Sequence, residues 1–189
     1  MDVVPDKHER ILAAAARLIV RNGLQCSMAA IADEADVATG SLYNYFASKE
    51  ELVLGVYSRV TAEMSERLLT PPDPAATGGA PVRRYIERYI AFIGEDPQRA
   101  RLFDYLDNNP LISPKEGYAV FRPIAEHGIA LIEAAQAAGA VRAGPASLIM
   151  SFVRGAIRNT LKRQRGSGGD LDDATRALVA AMCWDAISA

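Results

Sequence analysis

Apolar residues recur three and four positions apart along almost the whole chain, while alternating strand-like stretches and Asn-Gly hairpin turns are absent. That spacing is the period of a helix face, so an all-α fold with about nine helices is expected. Ile11, Ala15, Leu18 and Ile19 give a first helix over 6–22 its buried stripe, and Asn22-Gly23 supplies a stop. Ser27 caps a short second helix carrying Met28, Ile31 and Ala35. A third, with Leu42 and Phe46, follows a turn at 36–38. Ser48 and Glu51 have capping-box spacing and open a fourth helix, through Leu52, Val56, Val60, Met64 and Leu68, to about Leu69.

Proline and glycine then cluster in TPPDPAATGGAP, residues 70–81, and the periodicity stops. A domain junction is expected there, giving a unit over 1–48, a connecting helix over 49–69 and a larger unit over 70–189. Further helices are expected at 81–95, 97–108, 115–139 with a bend or restart at Pro123, 145–165 and 171–187. The last two are apolar on more than one side, which calls for two packing partners.

Composition narrows the function classes. The chain has 189 residues, 50% hydrophobic and 23% charged, which suits a globular core and not a disordered tail. No apolar run is long enough for a membrane span, and the start lacks signal-peptide order, so a cytoplasmic protein is expected. Cys26 and Cys183 are far apart and read as buried thiols. His8 and His127 lack metal-ligand spacing, and GxSxG, HExxH and phosphate-cradling glycine loops are missing. Neither an enzyme nor a metal or cofactor site is expected.

The informative stretch is SMAAIADEADVATGSLYNYF, residues 27–46: two short helices joined by a tight turn, the second opening on small polar residues. This is a helix-turn-helix pattern. Ile31, Val37, Leu42 and Phe46 pack the pair, leaving Thr39, Gly40, Ser41, Tyr43 and Asn44 for a DNA groove. Ser27, Tyr45 and Lys49 complete the expected DNA-contacting set, the last two placed to reach phosphates. Residues 1–50 carry five basic and seven acidic side chains, so no basic patch accompanies the motif. Arg10, Arg17 and Arg21 share one face of the first helix and read as a solvated stripe.

Ile11, Ala15, Gly23, Ile31-Ala32, Ala35, Val37, Gly40, Leu42-Tyr43, Tyr45-Phe46, Ser48-Lys49-Glu50 and Leu52 together resemble the TetR family of bacterial transcriptional repressors, over roughly the first 60 residues. The resemblance implies a homodimer whose amino-terminal units bind a palindromic operator and whose carboxy-terminal units bind a small ligand. One departure is Asp36, where family members place glycine. Aspartate tolerates positive φ at modest cost.

In the second unit, Tyr85, Tyr89, Phe92, Phe103, Phe121 and Phe152, with Asn108, His127 and Arg154, are the candidates to line an effector pocket. A buried Arg154 or Arg158 could meet an anionic ligand. Helices eight and nine are expected to pair with their symmetry mates in a four-helix bundle. The function implied is a ligand-responsive regulator, most simply a repressor with an unknown small-molecule effector. The alternative is a helical adaptor that uses its helix-turn-helix for protein contacts only.

Overall fold

Side-chain caps fix several of the helix starts, the one expected at Ser27 among them. Asp6 accepts from the His8 amide at 2.8 Å, Ser27 Oγ from Ala30 N at 3.1 Å, and Asp172 from Thr175 N at 2.8 Å. The computed structural model describes residues 6–69, 71, 76–107, 109–168 and 171–189. Among them run nine helices: α1 (Lys7–Asn22), α2 (Met28–Glu34), α3 (Thr39–Tyr45), α4 (Lys49–Leu68), α5 (Ala80–Gly94), α6 (Pro97–Asp107), α7 (Pro114–Ala137), α8 (Ala146–Gly166) and α9 (Asp173–Asp185). A 3₁₀ turn, Gly23–Gln25, follows α1. Among the described residues there is no strand, only an isolated antiparallel bridge between Val141 and Ser188, and no helix is long and apolar enough to cross a membrane.

The chain divides into two compact units, one of residues 1–62 with 98–120, the other of 63–97 with 121–189. Of the expected junction at 70–81, residues 70 and 72–75 lie outside the described residues. The division runs within α4, at the first residue of α6 and within α7. A helix carries its hydrogen bonds across such a point, and periodicity alone cannot see which neighbours each half packs on.

In the first unit, Ile11, Leu12, Ala14, Ala15, Leu18 and Ile19 of α1 are buried with Ile31, Ala32, Leu42 and Phe46. Gly55 permits the close approach of α4: a Cβ there would stand 3.0 Å from Leu12 and 3.1 Å from Phe46. In the second unit, α5 buries Val82, Tyr85, Ile86, Tyr89, Ile90, Phe92 and Ile93, and packs on α8 and α9. Trp184 of α9 lies over Gly79, and the Arg83 guanidinium sits 4.1 Å from its ring centre. The carboxy-terminal residues close onto the α7–α8 turn, where Arg142 N donates to Ile187 O at 2.9 Å.

Of the bend or restart expected at Pro123, the restart does not occur, since α7 is one helix from 114 to 137. Pro123 removes one ladder bond, to the carbonyl of Ala119, which the remaining bonds of a 24-residue helix can absorb. The division between units in α7, at 120/121, falls in that turn. Ser113 and Glu116 form a capping box at its start.

Candidate nucleic-acid interface

The turn between α2 and α3 forces a left-handed backbone at one residue. Asp36 takes it, with φ 53°, and is the sole non-glycine residue with positive φ among those described. The bend is closed by Asp36 N to Asp33 O at 3.1 Å and Val37 N to Ala32 O at 3.0 Å. Arg10 of α1 then donates from Nη2 to the Asp36 carbonyl at 2.8 Å. The acidic side chain that occupies the turn is thereby tied, through its main chain, to a cation of the supporting helix.

A second tie lies one turn away. Glu34 at the end of α2 accepts from Arg17 Nε at 2.9 Å and from Arg21 Nη2 at 2.8 Å. These two bonds hold its carboxyl below the usual carboxylate range. The reading of Arg10, Arg17 and Arg21 as a merely solvated stripe is therefore corrected: all three bind the helix-turn-helix. Their seven-and-four spacing was visible, but that α2 crosses this face was not.

Pinned in this way, α3 turns Leu42 and the following Phe46 inward, both buried, and leaves Thr39, Gly40, Tyr43, Asn44 and Tyr45 exposed, with Ser41 half-buried. Beyond its chain neighbours and its own helix backbone, nothing stands within 4 Å of the place where a Gly40 Cβ would lie, so the helix start is open for a close approach. His8 stacks on Phe46 at 5.1 Å and lies 6.3 Å from Tyr45. Ser27 is exposed, with its hydroxyl used as the α2 cap.

Lys49 behaves differently from the outward phosphate donor expected of it. Its ammonium is half-buried and donates to the Leu24 carbonyl in the 3₁₀ turn after α1. A carbonyl in the short turn that ends the α1 segment needs a donor, and a lysine on the first turn of α4 supplies it. Ser48 Oγ accepts from Glu51 N at 3.1 Å and the Glu51 carboxylate accepts from Ala47 N at 2.7 Å, so the start of α4 is capped. Cys26 beside this turn is buried, and burial pushes its thiol up.

The candidate pocket residues are not all brought together. Tyr85, Tyr89 and Phe92 are buried on α5, and Tyr85 meets His127 and Arg154. Phe121 is half-buried in the second unit, whereas Phe103 is buried in the first. Phe152 is 53% exposed: it shares the outward stripe of α8 with Leu148, while Met150, Val153 and Ile157 point inward, so it is corrected from pocket to surface. Asn108 lies outside the described residues.

Residues 11–56 match the family model described as bacterial regulatory proteins, tetR family. Over 68 residues the chain is 37% identical to the HTH-type transcriptional repressor KstR of Rhodococcus jostii, covering 35% of this chain and 32% of that protein. Over 91 residues it is 28% identical to the fatty acid metabolism regulator protein of Bacillus subtilis, covering 48% and 47%. The matches thus span less than half the length of these curated relatives. They are transcriptional regulators and not enzymes.

The likeness in three dimensions runs through the whole chain. A TetR family transcription regulator from Shewanella sp. PV-4 superposes with a TM-score of 0.83 at 23% identity, over 98% of this chain and 100% of that one. The regulator FadR from Bacillus subtilis, in complex with stearoyl-CoA, gives 0.80 at 19% identity over 93% and 97%. At such identities the likeness establishes the fold of both units.

Proposed function

Because the chain belongs to the TetR family of bacterial regulatory proteins through its amino-terminal helices, we propose that it is a repressor that binds a pseudo-palindromic operator as a homodimer and is released by a small-molecule effector. The observation that carries this reading is the face of α3. Thr39, Gly40, Tyr43, Asn44 and Tyr45 stand exposed on a helix whose turn is fixed by Arg10 and Glu34. One α3 per major groove would present them to base edges and phosphates. With five basic and seven acidic side chains in residues 1–50, affinity depends on a few placed donors and on two reading heads engaging together.

Dimerisation is supported by Leu148 and Phe152 on α8 and Leu178 and Met182 on α9, each more than half exposed and spaced one turn apart. A second copy presenting the same stripes would cover them as a four-helix bundle. An effector held in the second unit would act through α4 and α7, two helices within which the division between the units falls.

Binding of the dimer to operator fragments at two salt concentrations tests the reading. A specific complex whose affinity falls steeply with salt is expected. Absence of any duplex binding would leave the adaptor function instead. Effector action has its own check, since a compound that lowers operator affinity must bind the operator-bound dimer more weakly by the same factor.

A further inference from the structure

Within the second unit, the side chains of Tyr85, His127 and Arg154 meet as a cluster rich in donors and short of acceptors. Arg154 donates from Nε to the Tyr85 hydroxyl at 2.9 Å and from Nη2 to the Ile124 carbonyl at 2.7 Å. It reaches α7 because residue 128 is glycine: a Cβ there would stand 2.6 Å from Nη2. Both partners are neutral, and among the described residues no carboxylate pairs with this half-buried guanidinium. Such a cation ordinarily has an anion beside it.

Tyr85 is only 2% exposed, and burial, opposed by Arg154, pushes its phenol up, so it keeps its proton. The hydroxyl oxygen receives Arg154, and its own proton has no acceptor among the described residues. His127, with its ring centre 6.2 Å from that of Tyr85, is held below the usual imidazole range by burial and then by Arg154. It is uncharged at neutral pH and holds one further N–H. Tyr89 stacks on Tyr85 at 6.2 Å and 17°, which gives the cluster an aromatic wall.

We propose that Arg154 and Tyr85 form the receptor for the carboxylate of an organic acid with an apolar body, and that this acid is the effector. Nη1 of Arg154 and the Tyr85 hydroxyl would each donate to one carboxylate oxygen, with Nε and Nη2 holding the guanidinium in place. The assignment rests on the regulator reading for its consequence but not for its chemistry.

Calorimetric titration of the full chain with octanoate, benzoate and phenylacetate, each against its neutral amide, tests it. At least one acid should bind about tenfold or more tightly than its amide, the scale of a charge-assisted pair. Arg154→Met should abolish that preference, and Tyr85→Phe, which keeps the charge, should reduce it severalfold. Should Arg154→Met fail to fold, Gly128→Ala, which displaces Nη2, replaces it with the same expectation. No preference for any of the three acids, or a preference that survives these changes, overturns the proposal. So does conversion of the Arg154→Met protein to monomer, which would make the missing anion a side chain of a second copy. Operator binding by the parent protein is read separately: its absence would sink the regulator reading and leave the acid preference standing or falling by its own titration.

Discussion

The guanidinium of Arg10 holds the main-chain carbonyl of Asp36 at 2.8 Å, across 26 positions of sequence. This contact couples the one left-handed non-glycine residue among those described to the helix that supports the reading head. It also gives a reason for an aspartate to be tolerated there: the turn's geometry is held by its carbonyl, independently of the side chain.

Replacing Asp36 with glycine is expected to change stability by no more than about 1 kcal/mol, since relief of the left-handed strain opposes the greater freedom of the unfolded chain. Asp36→Val should cost about 1–2 kcal/mol, because a β-branched side chain fits that conformation poorly. Arg10→Met should cost roughly 1 kcal/mol through the lost bond. Urea unfolding of the three variants checks the order.

Glu34 has a carboxyl lowered by its bonds to Arg17 and Arg21, so its folded form binds a proton less readily than its unfolded form. The stability this contributes is present above the unfolded-state carboxylate range and is lost as pH falls through the lower folded value. Glu34→Gln should therefore lower the melting temperature at neutral pH, and the gap from the parent should close on acidification. High salt should narrow it as well, because the three side chains are solvent-accessible. A gap that widened in acid would contradict the clamp.

Tyr43 and Lys49 should separate in their effects. Tyr43→Ala removes an exposed side chain of α3 and should weaken operator binding about tenfold, the scale of one good polar contact, with melting unchanged. Lys49→Met leaves the Leu24 carbonyl without its donor and should lower the melting temperature. Its salt slope for operator binding should match the parent, since the ammonium is engaged inside the protein; a slope reduced by about 1 would restore it to the phosphate contacts.

Phe152→Asp and Leu178→Asp should each shift the protein to monomer in sedimentation, with helical content retained, because both positions are more than half exposed on one chain. Val153→Asp, inside α8 and wholly buried, should instead unfold it. If the two outward variants sediment as the parent does, the α8–α9 interface is wrong.

The sequence carried the all-α fold, the helix-turn-helix and the starts of most helices because these are local matters. Apolar period, a capping serine at 27 or 48, and a turn after α2 are each decided by residues a few positions apart. The open face of α3 was legible for the same reason, since Leu42 and Phe46 lie four apart and fix which way Tyr43 and Asn44 point. Tertiary structure alone decided the rest. Whether Lys49 faces solvent or Leu24, whether Arg17 and Arg21 find Glu34, and whether Phe152 turns inward depend on which helix crosses each face. A cation's partner is chosen by distance in space, and the period of its own helix leaves that distance undetermined.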